Sequence, residues 1–381
     1  MSIRSIKVLS VLPLLGQPRH SKRISMLQEV GFTVQAVAFE RDYHEGRLPS
    51  CPITTLGKIR HGHYLARMWA MIKSLRTMRA NISYSDLVYA SGLDMAFLSL
   101  LAGWGLQRPV VIEIGDVREI QLMAGVKGAV VRTLDRWIVN RCRLLVSTSP
   151  DFVTEYYEKR IGIKIPSLVI ENKLEISMMG EFASIPSLPR IPLKERPLRI
   201  GYFGLLRCDW SWSVLVALAK ARPNDIEIVL AGLVISPSDM EAQVKSIPNV
   251  TYIGQYKSPH GLPALYNQID LVWACYPPIG ENDWNLRWAR PNRFYEACFF
   301  QRPMVSRSGS NDARYVLKHD IGLVLDAQTP EDLVEVFRRL NHNTLSCWTY
   351  NIKKLPESVY LYTSESSDLK KALSVIINPA T

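Results

Sequence analysis

Paired cysteines, long apolar runs and, over one stretch, acidic residues are what this chain lacks. Its six cysteines (Cys51, Cys142, Cys208, Cys275, Cys298 and Cys347) include no Cys-x-x-Cys pair. That argues against a zinc module and a disulfide framework, and fits a reducing compartment. The longest apolar runs, such as residues 96–102, fall far short of the ~20 residues that a membrane-spanning helix needs. From residue 46 to residue 85 there is no acid at all, against seven Lys/Arg. A composition of 47% apolar and 21% charged residues excludes disorder, collagen and coiled coil. At 381 residues the chain exceeds one hydrophobic core, so two domains are expected. The basic, apolar opening has the outline of a short signal peptide, but Gln17-Pro-Arg-His-Ser-Lys-Arg23 stands where a small-residue cleavage site would follow. A buried first strand is the better reading.

Charge is abundant but uneven. Forty-six Lys+Arg against 35 Asp+Glu give +11, and residues 1–80 alone hold 13 basic and 4 acidic side chains. Such a field suits an anionic partner, a phosphate group or an anionic membrane surface. Nucleic acid is not expected, because no zinc finger, RNP-type motif or heptad-linked basic region accompanies the charge. Within the basic stretch, residues 64–79 read as a helix: Leu65, Met68, Trp69, Ile72 and Leu75 follow helical spacing. Arg67, Trp69, Lys73 and Arg76 fit a helix lying in a headgroup layer, with long side chains snorkelling outward. The alternative is core packing, with Trp69 inside.

Short apolar runs alternate with helical patterns. Residues 6–12, 33–39, 87–90, 109–114, 144–148 and 168–170 read as strands, with helices at 22–30, 64–79, 93–103 and 130–142. Periodicity lapses at 173–197 among Pro186, Pro189, Pro192 and Pro197, an interdomain linker. Alternation resumes with strands at 198–202, 226–231, 250–253, 271–275, 304–305 and 322–325. Helices are expected at 213–221, 238–245, 262–268, 292–300 and 330–340. Parallel sheets covered on both faces are implied, with ligands at the carboxyl ends of the strands.

Two segments carry chemistry. Gly201 and Gly204, in a strand running into a turn and helix, let backbone amides approach a phosphate, and Arg207 adds charge. In Arg290-Pro-Asn-Arg-Phe-Tyr-Glu-Ala-Cys-Phe-Phe-Gln-Arg-Pro-Met-Val305, Glu296 sits early in a helix that is apolar on its other face. A carboxylate there can accept two hydrogen bonds from a diol such as ribose. Arg290 and Arg293 stand near the helix start. The aromatic segment before it includes Trp284 and Trp288, which either stack on a sugar or pack their own loop.

The second of these segments resembles the nucleotide-sugar motif of GT-B glycosyltransferases, especially the family 4 group, whose pattern is roughly Asn-Lys-x-x-Glu-Ala-x-x-x-Gly-x-Pro-Val-Val. The resemblance extends over nearly the whole chain, through Pro18-Arg-His-Ser-Lys-Arg23, Arg141-Cys-Arg-Leu-Leu-Val-Ser-Thr-Ser149 and Ile228-Val-Leu-Ala-Gly232. It implies an α/β GT-B fold of two Rossmann-like domains facing a central cleft. The implied division is an acceptor domain at 1–172, a linker at 173–197, a nucleotide-sugar domain at 198–350, and a segment at 351–381 crossing back to the first domain. Donor binding then falls to Gly204, Arg207, Arg290, Asn292, Arg293 and Glu296, and acceptor binding to Gly16, Arg19 and His20.

The chain departs from the family pattern in three places. Ala289 stands seven residues before Glu296, where the family has an acid. Trp210-Ser211 occupies the place of the diphosphate-binding Lys-Gly, with Arg290 or Arg293 as substitutes. After the strand at 109–114, Gly115-Asp-Val-Arg-Glu119 replaces a His-containing loop. Asp116 is thereby a candidate for the general base that an inverting enzyme needs near the acceptor hydroxyl, or a cap of the following turn or helix; His20 and Glu113 are weaker candidates for that base. No Asp-x-Asp pair occurs, which favours arginines and helix dipoles over a metal at the diphosphate. The expected activity is sugar transfer from a nucleotide-sugar donor to a lipid-linked or polysaccharide acceptor at the inner face of the cytoplasmic membrane. No cofactor or metal is expected. The rival readings are a GT-B-shaped nucleotide-sugar epimerase and a non-catalytic scaffold for glycan assembly.

Overall fold

The computed structural model describes residues 5–40, 48–59, 64–177, 196–280, 284–327 and 329–377. The expected linker at 173–197 lies largely outside them. The chain divides into two units: Met1–Asn172 together with Ser364–Thr381, and Lys173–Thr363.

Strands of the first unit are β1 (Lys7–Leu12), β2 (Thr33–Glu40), β3 (Ile53–Lys58), β4 (Leu87–Ser91), β5 (Val110–Ile114), β6 (Leu144–Ser147) and β7 (Ser167–Val169). They form a parallel sheet in the order β3-β2-β1-β4-β5-β6-β7. Central strands β4, β5 and β6 are buried at every position, as continuous apolar runs in a sheet covered on both faces should be. The opening run is likewise a strand, buried from Val8 to Leu12. The first helix, Pro18–Glu29, starts at a proline and ends before Gly31, whose φ of 92° only glycine adopts readily. Strand β3 escapes a reading by pattern: Ile-Thr-Thr-Leu-Gly-Lys alternates poorly, and its register with β2 shifts between Ala38 and Phe39.

The second unit holds β8 (Leu198–Leu206), β9 (Ile226–Val234), β10 (Val250–Tyr252), β11 (Leu271–Trp273), β12 (Met304–Arg307) and β13 (Gly322–Leu325). Their order is β10-β9-β8-β11-β12-β13, again parallel. Strands β8 and β9 run longer than their apolar stretches suggest. They pair from Leu198↔Ile226 to Leu206↔Val234, carried through Gly204 and Gly232 by positive φ at both glycines. A Cβ on Gly232 would sit 1.9 Å from the Gly204 carbonyl oxygen, so glycine is required there. The helix Asn311–His319, unforeseen in the sequence, is started by Ser310, whose hydroxyl accepts from the Ala313 amide at 3.2 Å.

The last helix, Glu365–Ile377, belongs to the first unit and packs on Pro18–Glu29, with Ser366 donating to Glu29 at 3.1 Å. Among the described residues no helix is long and apolar enough to cross a membrane.

Candidate functional site

In the first unit the strand order reverses between β1 and β4, the place where open α/β sheets bind ligands. A cavity of about 270 Å3 lies there, at the carboxyl ends of β1, β4 and β5. Its polar lining includes Arg19, Arg67, Asp94, Asp116, Arg118 and Gln121. Asp116 is exposed at the end of β5. The N-cap position of the following helix, Glu119–Leu122, is Arg118 and not Asp116.

Beneath the cavity floor, Glu113 accepts from Arg23 Nε and Nη2, both at 3.0 Å, and from the Tyr89 hydroxyl at 2.7 Å. Arg19 Nε stands 3.8 Å from the same carboxylate. Burial pushes the Glu113 pKa up, but Arg23, Arg19 and the Tyr89 bond outweigh it and hold it at about 2. A carboxylate so firmly ionised and enclosed is a structural anchor, which removes Glu113 as a base. His20 also departs from expectation. Because the helix starts at Pro18, His20 falls in its first turn and turns inward, 2% exposed. Burial and the neighbouring Arg19 lower its pKa to about 4, so it is neutral and stands outside the cavity lining. Gly16 is a left-handed turn residue after β1, with φ 84°. Arg19 does reach the cavity, and its guanidinium lies against Gly115, where a Cβ would sit 1.4 Å from Nη1.

Arg67 requires a correction. It does not project with Trp69 into a headgroup layer but pairs with Asp94 Oδ2 at 2.6 Å in the cavity wall. Apolar and basic residues are interspersed around the helix Tyr64–Ser83, and packing selects the stripe through Ser74, Met78 and Ile82 as its buried side. Met68, Trp69 and Ile72 are left 59%, 59% and 54% exposed, which also overturns the reading of Trp69 as core. Lys73 lies over the Trp69 ring, 5.3 Å from its centroid, and Arg76 is exposed. Asp94 and Arg118 were missed in the sequence. Asp94 lies in the first turn of Leu93–Ala102, and Arg118 Nη2 meets it at 3.2 Å. The turn carrying Arg118 is tied down by Gln121, which accepts from the Arg118 amide at 2.7 Å and donates to buried Asp135 at 2.6 Å. Burial pushes Asp135 up to about 6 against the opposing bonds from Tyr156 and Gln121.

In the second unit the motif helix is Asn292–Phe299, entered through Pro291, with Phe294 to Cys298 buried. Glu296 is 8% exposed and accepts from the Tyr266 hydroxyl at 2.6 Å. Burial and the Glu296 charge push the Tyr266 pKa well up, so its hydroxyl remains a donor. Tyr266 thus holds the Glu296 carboxylate, which lies in the second turn of the helix. Arg293 donates to the Trp273 carbonyl at 2.8 Å and lies over the Tyr202 ring, 4.9 Å from its centroid. Arg290 donates to Asn311 at 3.0 Å, and its guanidinium lies 4.7 Å from the Phe294 ring centroid and 5.3 Å from that of Tyr315. Asn292 is exposed at the first helical position. Gly204, with φ 106° and nothing within 4 Å of its Cβ direction, leaves room for a ligand at the end of β8, and exposed Arg207 follows it.

Where the family pattern has Lys-Gly, Trp210 stacks on Trp273 with centroids 6.1 Å apart, and Arg307 lies over Trp210 at 4.6 Å. Tyr202, Tyr266 and Arg307 were not singled out in the sequence. Tyr266 carried no signal beyond its place on an apolar helix face. Trp288 is buried, which decides for packing; the Trp284 side chain lies outside the described residues. Among the described residues no group of three metal-ligating side chains occurs.

No protein-family model matches the chain. It is 28% identical over 347 residues to the succinoglycan biosynthesis protein ExoL of Rhizobium meliloti (strain 1021), covering 89% of this chain and 85% of ExoL. Among solved structures, the sucrose-phosphate synthase of Thermosynechococcus elongatus superposes with a TM-score of 0.72 at 12% identity, over 98% of this chain and 100% of that one. Anabaena Alr3699/HepE in complex with UDP and glucose superposes with a TM-score of 0.67 at 14% identity, over 97% and 99%. The chain has the α/β GT-B fold of the glycosyltransferases.

Proposed function

We propose that this protein transfers a sugar from a nucleotide-sugar donor to a hydroxyl of a lipid-linked or polysaccharide acceptor during exopolysaccharide synthesis. The observation that carries the reading is Glu296, held by Tyr266 in the second turn of the motif helix on a GT-B fold. The relative named for succinoglycan biosynthesis supports the setting. The second unit binds the donor: Glu296 takes the ribose diol, while Gly204, Arg207, Arg290, Asn292 and Arg293 surround the diphosphate. The first unit binds the acceptor, and Asp116 accepts the hydroxyl proton as the acceptor oxygen bonds to the anomeric carbon and the bond from that carbon to the diphosphate breaks, releasing the nucleoside diphosphate. Leaving-group charge is met by guanidiniums and backbone amides, without a metal.

A thermal-shift screen against UDP, GDP, dTDP and CMP, with their common sugars, tests the donor. A ligand at 100 times its Kd adds about 2.7 kcal/mol to stability. Asp116→Asn is expected to lower kcat about 10²- to 10⁴-fold while keeping the nucleotide shift. Silence toward every nucleotide in a folded sample favours a scaffold instead.

The protein works at the inner face of the cytoplasmic membrane, seated by the exposed Met68, Trp69 and Ile72 with Lys73 and Arg76 beside them. Helix Leu93–Ala102 packs on both Tyr64–Ser83 and Gly125–Val139, and the latter exposes Val126 and Val130. Flotation with phosphatidylglycerol-containing vesicles should drop severalfold in Trp69→Glu, and more at low salt than at high. Equal flotation of the two proteins would remove this seat.

A further inference from the structure

The charges around the first unit's cavity do not balance in pairs. Asp94 is shared by two guanidiniums, Arg67 at 2.6 Å and Arg118 at 3.2 Å. Glu113 is likewise shared by two, Arg23 at 3.0 Å and Arg19 at 3.8 Å. Among the described residues, three arginines (Arg19, Arg67 and Arg118) and two carboxylates (Asp94 and Asp116) line a cavity of about 270 Å3, close in size to a small ligand pocket.

Guanidinium forks match phosphate oxygens, two donors at a time. Arg118 is half exposed and Arg67 a quarter exposed, so both keep donors directed away from Asp94. Position on the helix narrows the ligand further. Arg67 directly precedes Met68 and Trp69, which are exposed on the same helix. With about 100° between successive helical residues, Met68 is the exposed apolar side chain that flanks Arg67, while Trp69 lies on the far side of the helix.

Resting on the transferase reading above, we propose that this cavity binds the phosphate or diphosphate of a lipid-linked acceptor, with Arg118 and Arg67 as its main contacts and Arg19 as a third. Asp94 acts as a positioning residue that spreads the two guanidiniums and keeps either from collapsing onto Asp116. The acceptor hydroxyl is then delivered to the end of β5, where Asp116 stands.

Arginine modification by phenylglyoxal, mapped peptide by peptide in the full-length protein, tests this without any donor or turnover. With inorganic pyrophosphate at ten times its Kd, modification of Arg118 and Arg67 should slow about tenfold. The exposed Arg338 and Arg339 should react at unchanged rates. In Arg118→Gln, protection of Arg67 should require about tenfold more pyrophosphate, the worth of a lost charge-assisted bond. Unchanged rates at Arg118 and Arg67 overturn the site. Protection by phosphatidylglycerol vesicles without protection by pyrophosphate also overturns it, by assigning these arginines to lipid headgroups. So does protection by glucuronate alone, which would make the ligand a carboxylate. Pyrophosphate protection together with silence toward all nucleotides keeps the phosphate site and removes the transferase reading.

Discussion

Replacing Glu296 with alanine should lower kcat/KM for sugar transfer by about 10²- to 10⁴-fold, the largest loss expected of any donor-site change. A charge-assisted hydrogen bond contributes about 1.5–3 kcal/mol, and a ribose diol offers two. Together these set the range, because each 1.36 kcal/mol is tenfold in rate. Stability should also fall by about 1–3 kcal/mol, since the variant leaves the Tyr266 hydroxyl buried without its carboxylate. Glu296→Gln separates the two effects. Its side-chain carbonyl still accepts from Tyr266, so the melting temperature should recover most of its loss while activity stays at least tenfold down. The nucleotide-induced thermal shift should shrink in both variants. A Glu296→Ala protein with native activity would show that the diol is held elsewhere and would remove the proposed donor site.

What could be read in advance followed from how strongly each feature is written into local sequence. Buried parallel strands such as Leu144–Ser147 are continuous apolar runs, and the motif helix Asn292–Phe299 combines a proline entry with one apolar face. Both were therefore legible. Strand β3 was not, because an edge strand with Thr-Thr and a register shift has neither a run nor an alternation. The helix Tyr64–Ser83 was legible as a helix but not in its orientation. Apolar and basic residues are interspersed around it, and only packing decides that Ser74 and Met78 go inside while Trp69 stays out. Pair partners were the least legible. Nothing local to Arg67 points to Asp94, 27 residues on, and nothing near Glu113 points to Arg23, 90 residues earlier. Such contacts belong to topology, which brings the first helix beneath the end of β5.

That distant pair sets the second large effect. Arg23 is 3% exposed, and Glu113 makes two hydrogen bonds to it. Removing one member of a buried ion pair costs about 3–5 kcal/mol, because the charge left behind cannot be solvated. Glu113→Gln should therefore lose about 3 kcal/mol in urea unfolding at pH 7, somewhat less than Glu113→Ala, since the amide oxygen still accepts. The acid limb of stability gives an independent readout. The Glu113 pKa moves from 4.5 to about 2 on folding, a shift worth about 3 kcal/mol at 1.36 kcal/mol per unit. The folded pKa is the lower one, so this stability is fully present above pH 4.5 and is lost as the pH falls towards 2. Asp135 has the opposite sign. Its folded pKa of about 6 lies above its ordinary 3.8, so its contribution is lost as the pH rises between these values. Buried His20, whose folded pKa of about 4 lies below its ordinary 6.5, gains stability as the pH rises and offsets the Asp135 loss. The stability of the first unit should accordingly level off above about pH 4.5, and Glu113→Gln should flatten the fall on its acid side. The double variant Arg23→Met, Glu113→Leu should recover only part of the single variant's loss, because the apolar pair needs no solvation but leaves the buried Tyr89 hydroxyl without its acceptor. An acid limb unchanged in Glu113→Gln would mean that Arg23 finds its counter-charge elsewhere, and that Glu113 does not anchor the cavity floor.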